Sequence, residues 1–140
     1  MRGFIIWLTG PSEDLSANIA ARLTNVGFRT EVLSHADAQA ALGTSDRGDR
    51  AIAYLADRLN AHGIVVIVEA SAPPTVARPD LHVAVGALTA DADLVVNLAE
   101  RAVPAVVEQI IHELGERDLT GGTLGDQIVV ERLQSIGYLG

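Results

Sequence analysis

The 140-residue sequence has no cysteine, and its ten basic residues are all arginine. Without thiols there can be no disulfide, zinc-thiolate site or thiol nucleophile, a state that suits a reducing cytoplasm. Positive charge is sparse and scattered along a chain of net charge -8. That balance argues against nucleic acid or an anionic membrane surface as a partner, because both demand clustered basic side chains to displace counterions. The apolar run from Phe4 to Leu8 is too short for a signal peptide or a membrane span. The chain is therefore expected in the cytoplasm. Aromatic residues make up only 4% of the chain while 49% is hydrophobic, much of it Ala, Val, Leu and Ile. This composition is typical of a compact sheet covered by helices. Low-complexity tracts and internal repeats are absent.

What is present alternates between strand and helix patterns over a length suited to one domain. Gly3 to Thr9 is a continuous apolar run, as in a central parallel strand buried on both faces. Ser12 can cap the helix that follows, in which Leu15, Ile19, Leu23 and Val26 recur at helical spacing up to Gly27. Phe28 to Leu33 alternates like a second strand, and a short helix after Ser34 ends at Gly43. From Ser45 a longer helix sets Ile52, Leu55, Ala56 and Leu59 on one face and stops at Gly63, before a buried strand over Ile64 to Val68. The pattern predicts a three-layer α/β/α sandwich with a mostly parallel sheet and right-handed crossovers.

Leu81 to Val85 and Asp93 to Leu98 both read as strands, although the Gly86 to Ala92 link between them is too short for a helical crossover. They are not expected to be parallel neighbours, so one of the two assignments conflicts with the other. Pro104 to Leu114 reads as a helix with proline in its first turn. Residues 1–119 then form the compact domain. Residues 120–140 comprise a Gly-rich linker, Thr120-Gly-Gly-Thr-Leu-Gly125, and a C-terminal amphipathic helix striped by Ile128, Val129, Leu133 and Ile136. An apolar stripe with an Ile136-Gly137-Tyr138-Leu139 end needs cover, so residues 124–140 are a candidate surface for a homodimer or a protein partner.

Residues 3–20, GFIIWLTGPSEDLSANIA, raise the question of chemistry. An apolar strand, a Thr-Gly, a short loop and a helix are the layout of an ATP-binding phosphate loop. The stretch resembles adenylylsulfate kinases, P-loop enzymes whose sequences open G-F-x-x-W-L-T-G-L-S-G-A-G-K-S-T-I-A. Asp46-Arg47 resembles a D-R pair that opens a family helix, with the following asparagine falling on Arg50. AHGIVVIVEASAPP, residues 61–74, resembles the family's A-G-V-I-V-I-V-x-x-x-S-P, and Arg78 resembles a later arginine. ADLVVNLAERAVPAVVEQIIHEL, residues 92–114, resembles the last strand and helix. The resemblance spans most of residues 3–118 and implies a P-loop NTPase-like fold. In the family it also implies MgATP and transfer of a phosphoryl group to the 3'-hydroxyl of adenosine 5'-phosphosulfate.

At the working positions the two patterns part. Aligned without a gap, the family's last loop glycine falls on Leu15, its lysine on Ser16 and its magnesium-binding hydroxyl on Ala17. The acidic L-D-G-D strand end falls on Leu33-Ser34-His35-Ala36. Neither the R-D-x-K-G-L-Y lid segment nor the F-T-G stretch has a counterpart between Pro79 and Asp91. The loop lysine neutralises the β- and γ-phosphates and the hydroxyl holds magnesium, and Ser16 and Ala17 supply neither role. Gly10 and Ser12 remain from the frame. Glu13 and Asp14, expected in the helix's first turn, are favoured there by the helix dipole and repel a triphosphate. They read either as ordinary first-turn acids or as groups that hold a cation or a partner's arginine.

Other candidates are few. Glu69, at the carboxyl end of a strand, and Asp37 are the weak catalytic candidates; Glu69 reads as a base or metal ligand, or as the partner of Arg47, Arg50 or Arg78. Arg47, Arg50 and Arg78 could form an anion pocket at that same edge, or stand as surface arginines. His35, His62, His82 and His112 have no spacing that pairs two on one helical face, so no metal site is expected. The resulting expectation is a degenerate adenylylsulfate-kinase-like protein without kinase activity and without a cofactor, kept as a binding, regulatory or assembly module. The alternative is an active ATP-dependent adenylylsulfate kinase, or a related phosphotransferase, that uses MgATP and takes its cation from Arg50 or a second subunit.

Overall fold

The computed structural model describes residues 3–10, 14–42, 45–71, 73–74, 78–86 and 92–119, with the side chains of residues 39 and 41–49 outside that description. Five strands form one sheet in the order β2-β3-β1-β4-β5. They are β1 (Ile5–Thr9), β2 (Arg29–Ser34), β3 (Ile64–Ala70), β4 (Leu81–Val85) and β5 (Leu94–Val96). Every pairing between them is parallel. The four described helices are α1 (Leu15–Asn25), α2 (His35–Leu42), α3 (Ser45–Ala61) and α4 (Val103–Glu116).

Strand alternation divides the core in two. Phe4, Ile6 and Leu8 share one face with Val65 and Ile67 of β3 and with Leu81, Val83 and Val85 of β4. That face packs against α1 through Leu15, Ile19 and Leu23 and against α4 through Val106, Ile110 and Leu114. Ile5 and Trp7 point the other way with Val66 and Val68, onto Ile52 and Ala56 of α3. β1 is buried at all five positions, as its unbroken apolar run dictates, because helices cover both faces. Each fully buried Leu or Ile contributes about 1.5–3 kcal/mol of transfer free energy. The two layers therefore account for most of what holds the sheet between its helices. The result is the expected three-layer sandwich.

Some expectations change. Leu81 to Val85 and the core of Asp93 to Leu98 are both strands, and they are parallel neighbours, with Val83 opposite Leu94 and Val85 opposite Val96. The short link suffices because β5 has three residues and pairs only with the carboxyl-terminal part of β4. The chain has to climb back only about 10 Å, at about 3.3 Å per residue, and no helix is required for that. Asp93 anchors the return, its N–H bonding His82 O at 2.8 Å and its Oδ2 accepting the His82 N–H at 2.8 Å.

Leu55, expected on the buried stripe of α3, is 46% exposed; the covered stripe is Ile52, Ala56 and Leu59. β2 is an edge strand, so Val32 is exposed and the alternation of Phe28, Thr30 and Val32 does not mark a fully buried face. Pro104 stands in the first turn of α4, as expected. Among the described residues no helix is long and apolar enough to cross a membrane. The linker and amphipathic segment at 120–140 lie outside the described residues.

Candidate functional site

The carboxyl ends of β1, β2 and β3 converge on the edge where open parallel sheets place ligands. An open groove of about 460 Å³ lies there, lined by Gly10, Ser34, Ala36, Glu69, Ala70 and Ser71. Gly10 turns the chain out of β1 with φ at +111°, a conformation that strongly favours glycine. A Cβ at this position would also overlap the Val85 carbonyl oxygen. Its N–H donates to Ala70 O at 2.9 Å, so this amide closes the sheet edge rather than facing a ligand. One residue earlier, Thr9 Oγ1 and His82 Nε2 lie 2.6 Å apart in a buried hydrogen bond between neighbouring strands.

α1 begins at Leu15, with Asp14 in the capping position and no side-chain bond from it to the helix amides. The expected cap at Ser12 is thus displaced by two residues. The helix has no acidic residue in its first turn, so Asp14 precedes that turn instead of occupying it. Pro11, Ser12 and Glu13 lie outside the described residues. Leu15 is fully buried and joins the core beneath α1. Ser16 is also buried, at 2% exposure, and its Oγ donates to Glu69 Oε1. Ala17 is exposed.

This arrangement does not fit the MgATP that the resemblance implies. The residue at the lysine position is turned inward and engaged by a carboxylate. The residue at the magnesium-hydroxyl position has no oxygen, and the chain holds no lysine anywhere to replace the loop cation. Among the described residues lining the groove, Glu69 is the one ionisable side chain. Their charge is therefore negative where phosphates would need positive charge.

The remaining candidates separate. Glu69 belongs to β3, opposite Leu8 and Ser34, and its described partner is Ser16 rather than an arginine. Asp37 is exposed at the start of α2, where its N–H is held by Ser34 Oγ at 3.3 Å, an ordinary surface position. Arg78 stands before β4 and so at the amino edge of the sheet, where it lines a different cavity with Gly3 and Asp80. Arg78 therefore does not join Arg47 and Arg50 in the expected pocket beside Glu69, because parallel strands put the start of β4 and the end of β3 at opposite edges. Arg50 is exposed in the second turn of α3, and the Arg47 side chain lies outside the described residues. Among the described residues no three His, Asp or Glu side chains stand where they could hold a metal ion.

The sequence reading missed the Ser16 to Glu69 pairing and the part played by His82. A signal for the first was available in the alternation of β3. Val65 and Ile67 face α1, so Glu69 must face it too, and the residue of α1 nearest the sheet edge that can offer a hydroxyl is Ser16.

A five-stranded parallel sheet flanked by helices, with a strand-loop-helix at its centre, defines a P-loop NTPase-like α/β fold. Comparison with known proteins narrows the class to the adenylyl-sulfate-kinase-like version of that fold. The chain is 30% identical over 97 residues to an adenylyl-sulfate kinase of Synechococcus sp. (strain JA-3-3Ab), a match covering 61% of this chain. It spans 55% of that relative's length. A structure of the Mycobacterium tuberculosis APS kinase CysC superimposes with a TM-score of 0.61 at 17% identity, covering 82% of this chain and 99% of that one. A second structure of that kinase, in complex with AMPPNP and APS, gives a TM-score of 0.62 at 15% identity over 81% of this chain and 98% of the other. No family model matches the sequence.

Proposed function

We propose that the chain is an adenylyl-sulfate-kinase-like domain that carries out no phosphoryl transfer and serves as a binding, regulatory or assembly module. The observation that carries this reading is the inward hydrogen bond of Ser16, at the lysine position, to Glu69. Phosphoryl transfer depends on positive charge arranged around the transferring group. Here the groove offers a carboxylate, the Gly10 amide is taken by Ala70, and Asp14 sits at the helix start. Two unit charges of like sign at about 4 Å repel by roughly 4 kcal/mol at an effective dielectric of ~20, more than one helix N-terminus contributes to an anion.

One structure of the Mycobacterium tuberculosis kinase is in complex with AMPPNP and APS; this chain is expected to turn over neither ATP nor adenylylsulfate. The test is an end-point assay at high protein concentration with MgATP and adenylylsulfate, with phosphorylated product separated by chromatography. No product above a protein-free blank is expected. Product that scales with protein and vanishes in Arg50→Ala would overturn the reading and establish the active alternative.

A further inference from the structure

β2 is an outer strand of the sheet. Its pairing with β3 runs unbroken from Arg29 to Ser34, and among the described residues no strand pairs with its other side. An edge of this kind presents a row of N–H and C=O groups to any second strand. The edge is open, with Arg29, Glu31 and Val32 all exposed. It carries no proline and no bulge, two of the devices that blunt an edge against pairing. Its two charges, Arg29 and Glu31, have no ion pair among the described residues.

Whether a second copy of the strand fits this edge depends on register. In an antiparallel pair, directly opposed residues share one face of the sheet, and side chains alternate along each strand. A two-fold axis must therefore pass beside a residue that opposes its own copy, and the choice of that residue sets every other pair. Thr30 and Val32 stand opposite Val65 and Ile67 of β3, on the face covered by α1, where Phe28 also packs. Glu31 stands opposite Val66, on the other face, which Arg29 shares. Centred on Arg29 or on Glu31, the axis sets like charges directly against each other, which is destabilising. Centred on Val32, it sets Glu31 against Leu33 and pairs no opposite charges. Centred on Thr30, it sets Arg29 of each copy against Glu31 of the other and Phe28 against Val32, with Thr30 against itself. Opposite charges, an aromatic with a β-branched residue, and Thr with Thr are all stabilising cross-strand pairs. Of these four registers, the Thr30-centred one alone satisfies both charges.

We propose that β2 is a dimerisation edge, to which a second copy of this chain adds its own β2 in antiparallel pairing centred on Thr30. The two sheets then become one continuous sheet. The contact is isologous, so the Arg29 to Glu31 pair and the Phe28 to Val32 pair each occur twice. Edge charges that serve instead to repel other strands give the opposite response to reversal. This dimer edge is independent of whether the carboxyl-edge groove handles phosphate.

Sedimentation equilibrium of the full chain tests it. A reversible monomer-dimer equilibrium with a Kd at or below about 0.1 mM is expected. Arg29→Glu and Glu31→Arg should each weaken it by about tenfold or more, because each puts like charges opposite at both pairs. The two reversals together should restore the parent affinity to within about threefold. Both positions are exposed, and circular dichroism checks that each variant is folded. The chain has no cysteine, so Thr30→Cys introduces a single thiol that opposes its own copy at a separation a disulfide can bridge. With oxidised glutathione it should cross-link faster than Ala105→Cys, at an exposed site on α4. A chain that stays monomeric up to about 1 mM would overturn the proposal. So would a dimer that either single reversal leaves unchanged or strengthens, a double reversal that fails to restore it, or Thr30→Cys cross-linking no faster than Ala105→Cys.

Discussion

Replacing Ser16 by alanine removes a buried hydroxyl that donates to Glu69 Oε1 while changing almost no packing volume. A hydrogen bond to a charged acceptor is worth about 1.5–3 kcal/mol. Glu69 is only half-buried, so water can partly replace the lost donor, and the expected loss is about 1–2 kcal/mol. Urea unfolding can be followed through Trp7, the single tryptophan of the chain and fully buried, whose emission shifts when the core opens. With a denaturant slope of about 2 kcal/mol per molar, the midpoint should fall by roughly 0.5–1 M. The same series with Glu69→Gln and the double variant completes a cycle that isolates the pair. The expected coupling is about 1 kcal/mol, since the neutral amide oxygen that Glu69→Gln introduces accepts the bond less strongly than the carboxylate. A Ser16→Ala variant within about 0.3 kcal/mol of the parent, or an additive cycle, would refute the view that the lysine position has become a structural bond.

Gly10→Ala should cost about 2–4 kcal/mol in the same assay, because it combines a strained φ with a Cβ that overlaps the Val85 carbonyl; a loss below about 0.5 kcal/mol would show that the turn relaxes. Leu15→Ala should cost about 2–5 kcal/mol as a fully buried side chain is truncated. A neutral result there would mean that Leu15 faces a ligand space rather than the core. Under the assembly reading, deletion of residues 120–140 should change the oligomeric state measured by light scattering. An unchanged state would remove that segment as the interface.

Much of the fold can be read from residues alone because its signals are local. The unbroken apolar runs at Ile5 to Thr9 and Ile64 to Val68 require cover on both faces, and the glycines at 27 and 63 end helices before the next strand, both with positive φ. The β4 and β5 relation escapes such a reading because the rule for full-length crossovers does not govern a strand of three residues. The edge on which Arg78 stands escapes it for a related reason. That edge depends on which end of β4 the arginine precedes, and the sequence leaves the assignment of that strand in conflict. That Leu15, Ser16 and Ala17 differ from the glycine, lysine and hydroxyl of the loop the sequence resembles is legible from residue type. What those side chains do instead is not, because the Ser16 to Glu69 bond joins residues 53 apart in sequence and needs the register of β3 against α1.

The central claim is that the strand-loop-helix at Gly10 to Ser16 keeps the phosphate-loop frame without its phosphate site. Titrating the 15N-labelled chain with ATP, with and without magnesium, while recording the amides of Gly10, Leu15, Ser16 and Glu69 tests it most directly. No saturable, magnesium-dependent shift up to about 5 mM is expected, which places any affinity weaker than about -3 kcal/mol. Saturation of those four amides at micromolar MgATP would contradict the account.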